Sequence, residues 1–293
     1  MISKHLTINF KLFTLIAFFL FTAEIPVIAQ PTKPMENFKT GYAPVNGINM
    51  YYEIHGEGAI PLVLLHGGGS TIEVTFAQIL PVFSKYNRVI AVDLQAHGRT
   101  SDRNSPESFE HDADDVAALL KYLKVEKANI LGFSNGGTTT LQTAIRHPEI
   151  VNKIVDIAGA YQKEGFLPGF FDGFNGATID MMPAPLKTAF LKVNPDEDKL
   201  LNMFHKDVER MKNFKDIPDD AIRGIKGPAL IIVGSQDVMP VEHAVKLSHM
   251  IPGAQLAVLP GVHGFCLGEV TTMKPGNKQP EATAILVQEF LDE

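Results

Sequence analysis

The sequence predicts an α/β fold: a mostly parallel, doubly wound sheet, covered by helices, with a helical lid inserted between two late strands. Three observations carry this. Short apolar runs alternate with amphipathic stretches along the chain, the pattern of strands buried on both faces and joined by crossover helices. One stretch, from about Tyr161 to Gly227, breaks the alternation and is too long for a structureless loop in a compact domain. One apolar run ends in Gly132-Phe133-Ser134-Asn135-Gly136-Gly137, ahead of a helix-like stretch that stops at His147-Pro148. That is G-x-S-x-G between a strand and a helix, the setting in which the motif carries meaning.

The elements follow in order. Lys4 and Lys11 flank a polar start, Leu12 to Ala23 is almost wholly apolar, and Val27-Ile28-Ala29 puts small residues at a cleavage site. This reads as a signal peptide over residues 1–29, cut near Ala29–Gln30. Glu24 interrupts the run short of the ~20 apolar residues that a span needs, so no stable membrane span is expected after cleavage. The protein is expected to be exported, to the periplasm or the medium if bacterial. Asn46-Gly47, between two extended stretches, signals a hairpin whose second strand is Ile48–Ile54. Buried strands are expected at Pro61–Leu65, Arg88–Asp93, Ala128–Phe133, Lys153–Ala158, Ala229–Val233 and Gln255–Leu259. Ser108 caps a helix with Glu110 and Asp112 in its first turn and Phe109, Val116, Leu119, Leu120 and Leu123 on one face. Pro240 opens another helix, ended by Pro252-Gly253, and a last helix from Glu281 to Leu291 is expected to turn Ile285, Leu286 and Phe290 inward. The body thus comprises residues 30–160 and 228–293, with the lid at 161–227. The lid opens with Phe166, Phe170, Phe171, Phe174, Met181 and Met182, which either line an apolar pocket or pack the lid onto the body. An amphipathic helix with Leu200, Leu201, Phe204, Val208 and Met211 follows.

Composition narrows the partners. The 293 residues are 45% apolar and 20% charged, ordinary for a globular chain able to bury a large core. A net charge of −7 without a Lys/Arg cluster disfavours nucleic acid and anionic membrane surfaces and leaves a small molecule as the expected substrate. Cys266 is the only cysteine, so no intramolecular disulfide forms. It reads as a small buried side chain.

A serine hydroxyl needs a base within hydrogen-bond reach, and the base needs an orienting group. His263, in the turn after Gln255–Leu259, is the candidate base. Asp237, in the loop after Ala229–Val233, is the candidate acid, with Asp156 on the neighbouring strand its rival. The glycines of His66-Gly67-Gly68-Gly69-Ser70 let backbone N–H groups approach an oxyanion closely. Gly68 is preferred over Gly67 and Gly69 as one donor, and the Asn135 N–H, at the start of the helix, is the other. His66 and His97 are expected to tie loops together, and Asp93 to bond loop amides.

The ordered features His66-Gly67-Gly68, Asp93-Leu94-Gln95-Ala96-His97-Gly98-Arg99-Thr100, Gly132–Gly137, Asp237 and His263 resemble the α/β-hydrolase superfamily, in its single-lid branch of esterases and related small-molecule hydrolases. The resemblance covers nearly all of the mature chain. Two positions depart from it: Ala96 replaces a common glycine, and Thr100 a usual serine. The resemblance implies a Ser134–His263–Asp237 triad that hydrolyses a carboxylic ester or lactone, without metal or organic cofactor. Cofactor-free perhydrolases, whose elbow Gly132–Gly137 also resembles, and C–C bond hydrolases use the same triad. A non-catalytic ligand-binding relative is the reading from a different class.

Overall fold

A computed structural model describes residues 38–293; the signal-peptide expectation for residues 1–29 lies outside them. The first two strands, β1 (Lys39–Val45) and β2 (Ile48–His55), form the expected antiparallel hairpin. Asn46 and Gly47 both adopt positive φ, +43° and +86°, the tight turn whose twist matches that of the flanking strands. The remaining strands are β3 (Leu62–Leu65), β4 (Val89–Val92), β5 (Ala128–Phe133), β6 (Val151–Ile157), β7 (Ala229–Gln236) and β8 (Gln255–Val262). They form one sheet in the order β1-β2-β4-β3-β5-β6-β7-β8. Of the seven strand pairings, β1–β2 and β2–β4 are antiparallel and the other five are parallel. From β3 the chain moves to β4 on one side and then to β5 on the other, so the loops after β3 and β5 part at the carboxyl edge. That switch point is where open α/β sheets place ligands.

Side chains alternate across the sheet. Val63, Leu65, Ile90, Val92 and Ile130 enter one core, with Val116, Leu119, Leu141 and Ala244 from helices Phe109–Tyr122, Asn135–Arg146 and Val241–Met250. Leu62, Leu64, Val89, Ala91 and Leu131 enter the other, under Ile72 and Phe76 of Ile72–Phe76 and Val287 and Phe290 of Gln279–Asp292. This two-sided burial is why the central strands read as unbroken apolar runs. β8 differs: it is an edge strand, paired among the described residues only with β7, and Leu256, Val258 and Val262 are exposed while Ala257 and Leu259 pack inward.

Helix Phe109–Tyr122 is capped as expected, the Ser108 Oγ accepting the His111 N–H at 3.1 Å. The last helix corrects one expectation. Its buried stripe is Ala284, Val287 and Phe290, spaced by three, and Ile285, one residue or about 100° round from Ala284, is 60% exposed.

Between β6 and β7 the chain passes through short 3₁₀ turns at Lys163–Gly165, Phe170–Phe174 and Ile179–Met181, then helices Ala184–Val193, Glu197–Lys212 and Asp219–Arg223. Phe166 stacks on Phe170 with ring centroids 4.5 Å apart and meets Phe171 and Phe214 edge-on. Phe214 in turn packs edge-on against Phe109 of the body, at 5.7 Å. Met182, Phe190, Leu200 and Met203 form a separate apolar cluster within the insertion; Met181 and Leu201 face outward. No helix of the described residues is long and apolar enough to cross a membrane.

Candidate active site

Ser134 sits on the turn between β5 and helix Asn135–Arg146, with φ +56° and ψ −120°. A non-glycine residue held there stores on the order of 1–3 kcal/mol of strain, which the surroundings must offset. The backbone is clamped on both sides. The Ser134 N–H donates to the Ile157 carbonyl at 2.8 Å, and the Ser134 carbonyl accepts the Thr138 N–H at 3.1 Å. The flanking glycines are steric requirements: a Cβ at Gly132 would run into the Gly136 carbonyl oxygen, and one at Gly136 into the Leu65 carbonyl oxygen.

The structure brings the three expected side chains together. His263 Nε2 lies 3.0 Å from Ser134 Oγ, and His263 Nδ1 lies 2.7 Å from Asp237 Oδ1. The carboxylate is an acceptor, so Nδ1 carries the proton and the Nε2 lone pair faces the hydroxyl. Asp237 is itself oriented, with Oδ1 accepting the Met239 N–H at 3.3 Å and Oδ2 the Gly234 N–H at 3.4 Å. The His263 ring leans on Phe133 at 4.6 Å between centroids. Among the described residues, no group of three or more His, Cys, Asp or Glu side chains is arranged to hold a metal ion.

Asp156, the rival acid, is not part of this arrangement. It is fully buried in β6; Oδ1 accepts the Gly159 N–H at 3.0 Å and Oδ2 has no partner among the described residues. Burial pushes its pKa up to about 7, the Gly159 hydrogen bond opposing this only in part. The native state therefore keeps a proton that the unfolded chain releases, and the stability this gives is lost as pH rises from the ordinary carboxylate range through about 7. Asp156→Asn keeps the shape and removes the charge. Its thermal midpoint should gain on the native protein between about pH 5 and about pH 8.5; a gap that is the same at both pH values would refute this.

The glycine loop follows β3. The Gly69 N–H is engaged, donating to Asp207 Oδ2 at 2.5 Å, which removes Gly69 as an oxyanion donor. The N–H groups of Gly67 and Gly68 have no partner among the described residues. A Cβ at Gly67 would stand 3.3 Å from Ser134 Cβ, and one at Gly68 would stand 2.5 Å from Asn135 Nδ2, so Gly67 borders Ser134 and Gly68 borders the residue after it. Asn135 is the first residue of its helix, where the backbone N–H has no intrahelical acceptor. Gly68 and Asn135 thus lie side by side with N–H groups that have no partner among the described residues, and Gly67 remains next to Ser134.

The other singled-out residues tie loops. His66 is buried and neutral, its pKa lowered to about 3 by burial and by the neighbouring His97. Its Nε2 accepts the Leu94 N–H at 3.0 Å and its Nδ1 donates to the Gly67 carbonyl at 2.7 Å. Asp93 accepts the Ile72 and Arg99 N–H groups, each at 3.0 Å. His97 Nδ1 donates to the Gln95 carbonyl at 2.7 Å, and Nε2 faces Asp207 Oδ2 at 3.0 Å. Burial disfavours its charged form, but the Asp207 carboxylate outweighs this and raises His97 to about 9. Ala96 adopts φ +61°, the left-handed conformation that glycine takes without cost and other residues take at roughly 1–2 kcal/mol. Thr100 retains the hydroxyl chemistry of serine: Oγ1 donates to the Asp93 carbonyl at 2.6 Å and accepts the Tyr51 N–H at 2.9 Å. Cys266 is buried, its thiol pushed up to about 12 chiefly by burial, and it carries no nucleophilic thiolate near neutral pH.

Sequence reasoning missed the insertion's buried charges. Asp207 and Arg210 lie in helix Glu197–Lys212 and are ion-paired to each other, with Arg210 Nη1 3.0 Å from Asp112 Oδ2. The signal was present: both fall on the stripe that also holds Leu200, Met203 and Met211, and charged residues on an apolar stripe require buried partners.

Comparison with known proteins agrees with this geometry. Residues 60–190 match the family described as the alpha/beta hydrolase fold. The serine hydrolase BPHL of Homo sapiens is 30% identical over 239 residues, covering 76% of this chain and 79% of that protein. The 2-hydroxymuconate semialdehyde hydrolase of Pseudomonas sp. (strain CF600) is 27% identical over 230 residues, covering 70% and 81%. Among solved structures, the enol-lactonase from Burkholderia xenovorans LB400 superposes with a TM-score of 0.68 at 26% identity, over 86% of this chain and all of that one (100%). With its sheet order, its serine on a strained strand–helix turn and its sequence relatives in accord, the chain is a member of the α/β-hydrolase family.

Proposed function

We propose that the protein is a serine hydrolase that cleaves a small, predominantly apolar carboxylic ester or lactone through an acyl-enzyme. The single observation that carries this is His263, which bridges Asp237 Oδ1 at 2.7 Å and Ser134 Oγ at 3.0 Å. His263 Nε2 takes the hydroxyl proton as Ser134 Oγ attacks the carbonyl carbon. The oxyanion is received by the N–H groups of Gly68 and Asn135. His263 then gives the proton to the departing alkoxide, which leaves as an alcohol, or in a lactone stays tethered to the acyl group. Water, activated by the same imidazole, releases the acid and restores Ser134. Asp237 holds the Nδ1–H tautomer and stabilises the imidazolium.

The apolar preference rests on what faces the glycine loop. A Cβ at Gly69 would stand 3.3 Å from Met182 Cε and 3.7 Å from Leu186 Cδ1, so the insertion presents aliphatic side chains beside the oxyanion position, as a lid over the site would. The likeness to an enol-lactonase favours including lactones beside open-chain esters. Residues 1–29 support action outside the cytoplasm.

The test is labelling of the purified protein with a fluorophosphonate, read by intact mass and peptide mapping. One adduct on Ser134, absent in His263→Ala, is expected, and the intact mass also reads whether the chain begins at Gln30. No adduct on the folded protein would overturn the hydrolase reading.

A further inference from the structure

We infer that Asp207 is the positioning residue of the oxyanion hole: the insertion helix Glu197–Lys212 holds the glycine loop in its donor conformation, so the hole is complete only while that helix is docked. The inference rests on the serine-hydrolase reading above.

Three consecutive glycines have no side chains with which to fix their peptide planes, and each peptide can rotate with little steric penalty. An oxyanion hole needs N–H groups aimed beforehand at the place where charge develops, so something outside the loop must hold it. Two bonds do so, one on each side of Gly68. His66 Nδ1 donates to the Gly67 carbonyl at 2.7 Å. From a residue 138 positions away in sequence, Asp207 Oδ2 accepts the Gly69 N–H at 2.5 Å. The first lies within the strand–loop unit and the second crosses from the insertion. The Gly68 N–H, left unpartnered among the described residues, lies between these two anchors and shares its peptide plane with the Gly67 carbonyl that His66 holds.

Asp207 is well suited to be a fixed acceptor. It is buried, and each carboxylate oxygen is engaged. Oδ2 serves Gly69 and also faces His97 Nε2 at 3.0 Å, and Oδ1 is paired with Arg210. Arg210 is anchored on Asp112 at 3.0 Å, with Glu107 Oε2 at 3.6 Å. His97 is tethered through Nδ1 to the Gln95 carbonyl and packs against His66, ring centroids 4.9 Å apart. The two anchors of the glycine loop therefore belong to one buried network. Paired cations hold the Asp207 carboxylate well below the usual range against the effect of burial, so it remains an acceptor across working pH. Asp207 makes no hydrogen bond to Ser134, Asp237 or His263; it acts through Gly69.

The experiment compares Asp207→Asn and Asp207→Ala with the native full chain. It reads kcat and KM on a p-nitrophenyl ester, affinity for an aryl boronic acid, whose serine adduct places an oxygen in the hole, and thermal midpoint. Asp207→Asn retains a carbonyl that can accept the Gly69 N–H but loses the charge that pairs with Arg210 and His97. It is expected to melt lower while keeping kcat and boronate affinity within about tenfold. Asp207→Ala loses the acceptor, and kcat and boronate affinity are expected to fall together by about a hundredfold, the scale of losing an oxyanion donor, with KM changing by less than about threefold. A folded Asp207→Ala with native kcat and boronate affinity would overturn the inference, leaving Asp207 a purely structural ion pair. So would a hundredfold loss in Asp207→Asn, which decides the matter even if the alanine variant does not fold. Fluorophosphonate labelling of the native protein separates the two levels. Native protein labelled on Ser134 alongside an unaffected Asp207→Ala sinks this inference alone, whereas unlabelled native protein sinks the triad reading and this inference with it.

Discussion

Ser134→Ala is expected to lower kcat on any ester or lactone substrate by about a millionfold while leaving the protein folded. The loss is this large because no other nucleophile can take over. Cys266, the only thiol in the chain, is buried and held as the neutral form, pushed up to about 12. Water entering the space of the lost hydroxyl would meet His263 and the oxyanion donors without forming an acyl-enzyme, which accounts for a residual rate above that in bulk water. The fold should survive because the hydroxyl supports nothing structural. The turn is held through the backbone, by the Ser134 N–H on the Ile157 carbonyl and the Ser134 carbonyl on the Thr138 N–H. Alanine meets the same steric penalty at φ +56° as serine. Steady-state kinetics with circular dichroism and a thermal melt check both halves. A folded variant within about tenfold of native turnover would mean that Ser134 is a turn residue and that the chemistry lies elsewhere.

What the sequence disclosed was local and periodic. β3, β4 and β5 lie inside their expected runs because two-sided burial leaves them almost wholly apolar, with Asn129 of β5, buried and bonded to Asn152, the one polar side chain. The turn that carries Ser134 was legible because its constraints are contiguous: Gly132, Ser134 and Gly136 are within five residues, and close packing of backbone on backbone requires the two glycines. Asp237 and His263 could be placed because each directly follows an apolar strand at the carboxyl edge of the sheet. The misses arose where a tertiary neighbour decides the outcome. Ile285 is as apolar as Val287, and only the position of the body relative to the helix axis sets which one is buried. β8 was expected to be covered like its neighbours because edge position is a property of strand order, and Leu256 and Val258 carry no sign of it. Asp207 and Arg210 share the apolar stripe of Leu200, Met203 and Met211, but the partners that this position demands lie on distant segments and are fixed only by docking helix Glu197–Lys212 against Gly69, His97 and Asp112. The choice among Gly67, Gly68 and Gly69 was open for the same reason: three identical residues are distinguished only by the acceptor that captures one of them.

The choice of catalytic acid yields the second large effect. Asp237→Asn is expected to reduce kcat by about ten-thousandfold, with KM nearly unchanged. The amide is isosteric with the carboxylate, and with its NH₂ in the Oδ1 position its oxygen can still accept the Gly234 N–H that Oδ2 accepts at 3.4 Å. Two things are nevertheless lost. The anion that stabilises the imidazolium in the transition state is gone. An amide NH₂ turned toward Nδ1 would also demand a lone pair there, placing the ring proton on Nε2, where it can donate to Ser134 Oγ but cannot accept its proton. Asp156 cannot take over, since among the described residues its side chain bonds only the Gly159 N–H and its Oδ2 has no partner, and burial favours its protonated form near neutrality. The comparison that decides is therefore between two asparagine variants. Asp156→Asn should keep kcat within a few-fold and shift only the pH dependence of stability, while Asp237→Asn should lose turnover without loss of fold. The reverse outcome, an active Asp237→Asn beside an inactive but folded Asp156→Asn, would mean that in the working enzyme His263 swings to the neighbouring strand, and that the 2.7 Å contact between His263 and Asp237 is not the catalytic one.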